Sequence, residues 1–266
     1  MNAELSSGRS GPRVQFIASR DNPRYKAVKR LAQVNTEYRK QGQVWIEGDH
    51  LCRAALARGL RPALAVFSES FWADAGDKSD FLALENIVIP AAMMAGISSL
   101  SSPAPMGFVL DLPAQAPFNA GAATVVLDRV QDAGNVGSIL RSAAAFGFHQ
   151  VLALRGTAAL WSPKVVRAGM GAHFGLRLIE DLDVDVLDGF EIPRVVTHVH
   201  EGVLLHERTP PNPCALVLGH EGQGVSAAVL ARADRRVRIA QPGGEESLNV
   251  AAAAAICLHA IAVGPR

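Results

Sequence analysis

The sequence predicts an α/β fold in two parts, a small N-terminal α/β domain followed by a larger α/β domain with a parallel sheet. Strand and helix patterns alternate along most of the chain, which is typical of layered α/β structures. Several strands are apolar throughout, such as Thr124–Leu127 and Ala215–Leu218, as expected when both faces of a parallel sheet are covered. A segment rich in Pro, Ala and Gly, residues 113–122, separates the two parts and is predicted to be a linker.

The N-terminal part begins with a polar, Gly/Ser-rich stretch, residues 1–13, which predicts a flexible tail. The domain itself is expected to span residues 14–112. It opens with a basic helix from Asn22 to about Val34, with Pro23 in its first turn. Its further predicted elements are the helix Asp49–Arg58 and the strands Val44–Glu47, Ala63–Phe67, Asn86–Ile89 and Gly107–Leu110.

The C-terminal domain is expected to span residues 123–266. Its strands are near-continuous apolar runs, and its helices show an apolar stripe. The predicted strands are Thr124–Leu127, Gln150–Leu154, Arg194–Thr197, Ala215–Leu218 and Arg236–Ile239. The predicted helices are Asn135–Phe146, Pro163–Phe174, Ser226–Ala233 and a long Ala-rich helix from Leu248.

The composition is that of a globular protein, with 266 residues, 49% of them hydrophobic and 19% charged. The longest apolar stretch, Val250–Val263, is too short to span a bilayer and contains His259, so we expect a buried helix. The first residues carry no apolar run that would indicate a secretory signal. The three cysteines are scattered and form no CxxC pair, and the histidines lack the spacing of a metal site. A reducing, cytoplasmic compartment is therefore expected, and no metal.

The charge is distributed unevenly along the chain. Residues 1–61 carry 12 Lys/Arg and 5 Asp/Glu, a balance of +7, whereas residues 62–266 carry 14 and 20, a balance of −6. The two sums give the net charge of +1. A basic N-terminal part favours a polyanion-binding module; the alternative is a basic helix that is merely solvated.

The first of three chemically suggestive clusters opens the predicted helix Asn135–Phe146. Asn135 can cap this helix, and Gly137 lets a ligand approach the backbone. Arg141 lies one turn beyond Gly137. We expect it to face the same side as the loop of Asn135 and to reach a phosphate at the carboxyl edge of the sheet. The alternative is a capped amphipathic helix with a surface arginine.

The second cluster is the glycine-rich segment Leu218–Ser226. It predicts a tight loop that presents backbone N–H and C=O groups to a ligand such as a nucleoside, and Glu221 adds a carboxylate to it. The alternative is a plain strand-to-helix turn with Ser226 as N-cap. The order of glycines, GxxGxG, differs from the dinucleotide motif GxGxxG, which argues against a nicotinamide-dependent oxidoreductase.

The third cluster is the segment Ile239–Asn249, which joins the last strand to the last helix. Ser247 is a natural N-cap for that helix, and this role requires no function. Ser247 and Asn249 would also direct polar side chains toward any ligand that the glycine loop faces.

In this order and spacing, the three clusters resemble the signature motifs of the SpoU/TrmH family of SPOUT methyltransferases: N-x-G-x-x-x-R, G-x-E-G-x-G and G-x-x-x-S-L-N. Residues 167–174 also resemble the segment between the first two motifs. Residues 14–112 resemble the family's ribosomal-protein-like substrate-recognition domain, chiefly through Ser19–Lys26 and Trp45–Asp49. One departure is Ala240, where the family usually has proline.

The resemblance implies an RNA 2′-O-ribose methyltransferase that uses S-adenosyl-L-methionine, acts on ribosomal RNA rather than transfer RNA, contains a SPOUT trefoil knot and forms a homodimer. The residues expected to face the nucleotide or support catalysis are Asn135, Arg141, Glu221, Ser247 and Asn249. The residues expected to contact the cofactor are Thr197, Gly219, Ile239 and Leu248. The residues expected to bind RNA are Arg24, Lys26, Lys29 and Arg30.

The expected reaction transfers a sulfonium methyl group to a hydroxyl oxygen, so the protein must hold that oxygen against the methyl. Because a guanidinium stays protonated in proteins, Arg141 is expected to grip a phosphate and stabilise developing negative charge rather than act as a base. The proton acceptor is left open among a phosphate oxygen, water and Glu221. Two further alternatives are a base-methylating enzyme of the same superfamily and a non-catalytic RNA-binding or ribosome-assembly protein.

Overall fold

The computed structural model describes residues 11–74, 76, 78–98, 102–115, 117–243 and 247–264. The chain divides into two compact units, residues 1–112 and 113–266. Most of the predicted tail, residues 1–10, lies outside the described part, and Arg13 already belongs to a strand. The assignment of the units to RNA recognition and catalysis, with a linker over 113–122, stays a prediction.

The first unit is built on a mixed sheet of five strands in the order β1-β4-β3-β5-β2. Strand β4 is parallel to both of its neighbours, whereas β5 is antiparallel to β3 and β2. The strands are β1 (Arg13–Phe16), β2 (Gln43–Glu47), β3 (Leu64–Ser68), β4 (Glu85–Ile89) and β5 (Met106–Asp111). The helices are α1 (Pro23–Gln33), α2 (Glu37–Gln41), α3 (Asp49–Ala57), α4 (Glu69–Ala73) and α5 (Ala91–Ile97), with a 3₁₀ turn at Ser79–Phe81.

The second unit is built on a sheet of seven strands in the order β10-β12-β9-β11-β6-β7-β8, and every neighbouring pair is parallel. The strands are β6 (Thr124–Asp128), β7 (Gln150–Leu154), β8 (Arg177–Leu182), β9 (Arg194–Thr197), β10 (Val203–Leu204), β11 (Ala215–Gly219) and β12 (Arg235–Arg238). The helices are α6 (Ala133–Ala145), α7 (Pro163–Gly169), α8 (Ala227–Leu230) and α9 (Val250–Val263), with 3₁₀ turns at Ala172–Gly175 and Val184–Gly189.

The predicted α/β class with a parallel sheet is confirmed, and the central strands β6 and β11 are buried along their whole length. Helix α6 approaches α7 closely because it has glycine at the contact: a Cβ on Gly137 would lie 2.3 Å from the Cβ of Ala168. Helix α6 also packs against α9, whose buried face includes Leu258 and Ile261. The trefoil knot stays a prediction.

The helix predicted over Pro163–Phe174 is too long. Helix α7 ends at Gly169, because Met170 and Gly171 adopt left-handed backbone conformations with φ of 48° and 89°. A short 3₁₀ turn follows and carries the buried His173, whose Nε2 lies 2.8 Å from the carbonyl oxygen of Leu160. Burial lowers the pKa of His173 to about 4, so the ring is neutral and its Nε2 donates to that carbonyl.

Among the described residues, no helix combines the length and the apolar composition needed to cross a bilayer.

Candidate active site

The loops that carry the three sequence clusters meet at one edge of the parallel sheet. Strands β6, β11 and β12 lead into the three clusters and end at Asp128, Gly219 and Arg238. With β9, which lies between β11 and β12, they all run in the same direction. Their carboxyl ends therefore lie side by side, which is where open α/β sheets bind ligands. Segments far apart in sequence are thereby brought within hydrogen-bonding distance.

A polar network joins the three clusters through Asn135. The side-chain amide of Asn135 donates to Glu221 Oε1 over 3.1 Å, and its oxygen accepts from Asn249 Nδ2 over 2.9 Å. Glu221 also accepts the backbone N–H groups of Gln131 and Asp132, at 3.2 and 3.1 Å. One residue from each motif thus contributes to a continuous chain of hydrogen bonds.

The orientation of each amide in this network is determined by its partners. Asn249 Oδ1 accepts the backbone N–H groups of Ala251 and Ala252 at the start of α9, at 2.9 and 3.2 Å. Its NH₂ group must therefore face Asn135, which in turn leaves the NH₂ group of Asn135 for the carboxylate of Glu221. The network runs in one direction, from the N-terminus of α9 to the carboxylate.

Glu221 is ionised at neutral pH. Burial pushes its pKa upward, but the hydrogen bonds from the Asn135 side chain and from backbone N–H groups of Glu221, Asp132 and Gln131 outweigh this effect, so the pKa lies below its ordinary value. Because the folded-state pKa is depressed, the stabilisation from these bonds is present above the pKa of an unfolded glutamate and is lost as pH falls through the folded value. The lowered pKa makes Glu221 a weak base.

Two cap assignments made from the sequence are wrong. Asn135 lies inside α6, and the cap is Asp132, whose Oδ1 accepts the backbone N–H of Asn135 over 2.8 Å. The last helix begins at Val250 rather than Leu248, and its cap is Asn249 rather than Ser247. An acidic or amide side chain immediately before the first helical residue satisfies the free N–H groups in both cases. The side chain of Ser247 is therefore available for another role.

A cavity of about 400 Å³ opens beside the network, within the size range of small-ligand sites. Loop backbone and apolar side chains form much of its wall, including the whole segment from Gly219 to Val225. The four residues expected to contact the cofactor all line it, namely Thr197, Gly219, Ile239 and Leu248. Glu221 and Ser247 line it as well. Ile239 follows β12 instead of ending it, and residues 244–246 of the third cluster lie outside the described part of the chain.

Gly219 is required by the loop itself. A Cβ at this position would lie 2.3 Å from the backbone carbon of Gly224 and 2.3 Å from the backbone nitrogen of Val225. Any side chain would push these backbone atoms away, and they belong to the cavity wall. A larger residue at 219 would thus disturb the loop as well as any ligand.

A buried carboxylate that is not among the predicted site residues lies under the glycine loop. Asp128, at the end of β6, is 3% exposed, and its Oδ2 accepts the backbone N–H of Ser226 over 2.6 Å. The next residue, Arg129, has a left-handed backbone with φ of 60°; it pairs with Asp128 and donates to Gln223 Oε1 over 3.0 Å. The sequence feature that could have indicated this carboxylate is an acidic residue directly after the predicted apolar strand Thr124–Leu127. Ser226 precedes α8, but its side chain makes no capping bond.

Arg141 does not join this network. It lies six residues beyond Asn135 in α6, so its side chain leaves the helix about 120° around and about 9 Å along the axis from that of Asn135. The two side chains therefore leave α6 in different directions, and the role expected of Arg141 stays a prediction. Arg141 is exposed, and its guanidinium makes no hydrogen bond or ion pair with another described residue.

The four basic residues expected to bind RNA lie on α1 in the first unit, and three of them have acidic partners. Arg24 pairs with Glu85 at 3.1 Å and Lys26 with Asp21 at 2.8 Å. Arg30 pairs with the buried Glu37 at 3.3 Å. Lys29 has no ion pair within the described ranges. Acidic side chains therefore offset more of the positive charge on this helix than the sequence indicates.

The fold and the motif geometry define a SPOUT-type α/β protein, and comparison with known proteins gives the family. The model of the SpoU rRNA Methylase family matches residues 122–259, which is more than half of the 266 residues. This chain belongs to the SpoU rRNA methylase family. The resemblance seen in the three motifs is thereby confirmed, and the chain is a member of a family of RNA methylases.

Similar proteins align along nearly the whole chain. The 23S rRNA (guanosine(2553)-2′-O)-methyltransferase RlmP of Bacillus subtilis is 29% identical over 91% of this chain and 97% of its own length. An uncharacterized tRNA/rRNA methyltransferase of Synechocystis is 30% identical over 92% of this chain and 93% of its own. The crystal structure of an AdoMet-bound rRNA methyltransferase from Sinorhizobium meliloti is 25% identical, with a TM-score of 0.79, and the alignment covers 93% of this chain and 97% of that one.

Proposed function

We propose that this protein transfers the methyl group of S-adenosylmethionine to a ribose 2′-hydroxyl of ribosomal RNA. The observation that carries the proposal is the convergence of the three motif loops, through Asn135, Glu221 and Asn249, beside one cavity at the carboxyl edge of the sheet. The names of the relatives support the same reaction, since the Bacillus protein is a 23S rRNA 2′-O-methyltransferase and the Sinorhizobium structure holds AdoMet.

The cavity fits a nucleoside cofactor. Its wall offers backbone N–H and C=O groups from the glycine loop, together with the apolar side chains of Ile239 and Leu248. Backbone groups and apolar surface suit an adenosine and a methionine chain better than a ring of charges would. Thr197, Gly219, Ile239 and Leu248 hold the cofactor here, and the bound cofactor supplies an electrophilic methyl group on a sulfonium.

Asn135, Glu221 and Asn249 position the substrate. Asn135 and Asn249 each keep a second amide hydrogen outside the network, which can donate to oxygens of the incoming nucleotide. Glu221 holds Asn135 and is a poor base, because its pKa is depressed and its oxygens already accept three hydrogen bonds. Ser247 lines the cavity and contacts the nucleotide. The proton acceptor is then a phosphate oxygen or water.

Arg141 grips the phosphate beside the reacting ribose and stabilises the developing alkoxide. Its guanidinium is exposed and without an ion pair to any described residue, and it stays protonated throughout. Since Arg141 stands apart from the network of its own chain, a second copy of the chain brings this arginine to the site. The active form is therefore a homodimer.

The dimer contact is the exposed side of α9. Ile256 is 43% and Val263 66% exposed there, and they line an apolar groove together with Leu205 and Ala260. Burying such side chains between two copies is favourable by about 25 cal/mol per Å² of apolar surface.

The protein acts in the cytoplasm. Cys52, Cys214 and Cys257 are all free thiols inside the fold, and burial raises the pKa of each. A reducing compartment suits a protein with unpaired cysteines.

Replacing Arg141 tests the catalytic proposal. We expect Arg141→Ala to lower turnover by about 10²–10³-fold, the loss typical of one oxyanion-stabilising donor, with S-adenosylmethionine binding nearly unchanged. Arg141→Lys keeps the charge but loses the planar, bidentate guanidinium, so its rate should lie between those of wild type and Arg141→Ala. Turnover is measured on total ribosomal RNA with radiolabelled cofactor.

The product of the same assay identifies the acceptor atom. A 2′-O-methyl product appears as a dinucleotide that resists alkaline hydrolysis. A base-methylated nucleoside would overturn the ribose assignment, and wild-type turnover of Arg141→Ala would overturn the role of the arginine.

The predicted domain of residues 14–112, which lies within the first unit, is the RNA-recognition domain, and α1 contacts the phosphates. Neutralising Arg24, Lys26, Lys29 and Arg30 together should weaken RNA binding and reduce its salt dependence. As a matched control, Asp21→Asn with Glu85→Gln frees two of these cations and should strengthen binding. Filter binding at several salt concentrations measures both. Unchanged affinity and salt slope in the neutralised variant would make α1 a solvated surface only.

The homodimer is tested by light scattering at micromolar protein. We expect twice the chain mass of 28.1 kDa. Ile256→Glu should reduce the mass toward one chain and abolish turnover, because it places a charge in the apolar contact. A wild-type protein that is monomeric and fully active would contradict the dimeric site.

A further inference from the structure

Two loops of the cavity are built in the same way around a histidine. His198 directly follows β9 and His220 directly follows β11, and these two strands are neighbours in the sheet. His198 Nδ1 accepts the backbone N–H groups of His200 and Glu201, at 3.2 and 2.9 Å. His220 Nδ1 accepts those of Gly222 and Gln223, at 3.0 and 3.2 Å. In each loop, the ring nitrogen binds the residues two and three positions further on.

These two turns shape the wall of the cavity. Residues 198–200 and 219–225 contribute most of its lining. The second loop is also closed by its backbone, since His220 and Gly224 exchange N–H···O bonds of 3.0 and 2.9 Å. Glu221 lies inside this closed turn, so the imidazole of His220 fixes the backbone from which the carboxylate reaches Asn135.

An imidazole can hold such a turn only in one protonation state. To accept two N–H groups, Nδ1 must carry a lone pair, which requires a neutral ring with its proton on Nε2. In a protonated ring, both nitrogens are donors, and Nδ1–H would point at two other N–H groups. Protonation therefore converts two hydrogen bonds per loop into repulsive contacts.

Other titratable or charged groups of the described chain surround these loops. His200, Glu221 and Cys257 line the same cavity, and the rings of His198 and His200 stand 6.4 Å apart. The charged groups bonded to the loops from neighbouring elements are Arg236, which pairs with Glu201, and Arg129, which donates to Gln223.

We propose that His198 and His220 are positioning residues, which as neutral imidazoles hold the two loops in the conformation that receives the cofactor. The proposal rests on the proposed function in placing S-adenosylmethionine in this cavity. Cofactor affinity then falls as the two rings become protonated, while neither ring takes part in methyl transfer.

The test compares alanine and asparagine at both positions. The side-chain oxygen of asparagine can accept a backbone N–H two residues further on, as in an Asx turn, and the amide does not titrate. Binding of S-adenosylhomocysteine is measured by calorimetry between about pH 5.5 and pH 8, the range in which histidine side chains titrate. The matched control is His149→Ala, because His149 is an exposed histidine outside the cavity. Thermal melting verifies that each variant is folded.

At pH 8 we expect the double variant His198→Ala/His220→Ala to bind at least about tenfold more weakly than wild type. The double variant His198→Asn/His220→Asn should bind within about threefold of wild type. Wild type and His149→Ala should lose affinity toward pH 5.5, and the asparagine variant should lose distinctly less. This difference isolates the two imidazoles, because the ligand and the remaining groups are common to all variants.

Wild-type affinity in the folded alanine variant would overturn this proposal alone. So would an asparagine variant that is no better than alanine, or one with the same pH dependence as wild type. If wild-type protein binds no S-adenosylhomocysteine at any pH, the proposed function fails and this proposal falls with it.

Discussion

The arrangement of the site depends on the side-chain amide of Asn135, which is held between the carboxylate of Glu221 and the amide of Asn249. These partners lie 86 and 114 residues away in sequence. Because Asn249 also caps α9 and Glu221 also binds the backbone before α6, the network ties two helix starts to the glycine loop. Each side chain of this network has its donors and acceptors matched to partners of defined direction, so polar groups with fixed orientations meet at one point.

In the proposed function, positioning and reaction are assigned to different groups. Glu221 has a lowered pKa and accepts three hydrogen bonds, so the proposed function gives it a positioning role rather than proton transfer. In the proposed reaction, the reactive groups are the cofactor and the exposed guanidinium of Arg141, and the residues around them position the substrate. The buried Asp128 supports the glycine loop by binding the backbone N–H of Ser226. A rigid set of loops is what an in-line transfer requires, since small errors in the distance to the reacting oxygen are costly in rate.

Much of this organisation could be predicted from the sequence, and the failures have physical causes. The buried strands β6, β7 and β11 were found because both faces are covered and the sequence is apolar throughout. The edge strands β1, β8 and β10 are not predicted, because each is partly or wholly exposed and none carries a long uninterrupted apolar run. The residues around the cavity could be named only through the family motifs. Which of them touch each other depends on helix starts, where Asp132 and Asn249 rather than Asn135 and Ser247 bind the free N–H groups.

The most direct test of the network compares two replacements of Asn249. Asn249→Ala removes both the cap and the amide, so we expect it to lose about 0.5–2 kcal/mol of stability, the usual range for a lost cap, together with activity. Asn249→Asp keeps an oxygen for the N–H groups of Ala251 and Ala252 but cannot donate to Asn135, which is left between two carboxylates. The network account predicts a melting temperature close to wild type for Asn249→Asp, with methyl transfer reduced about tenfold or more. Wild-type activity in Asn249→Asp would show that Asn249 is only a helix cap and would contradict the central role of the network.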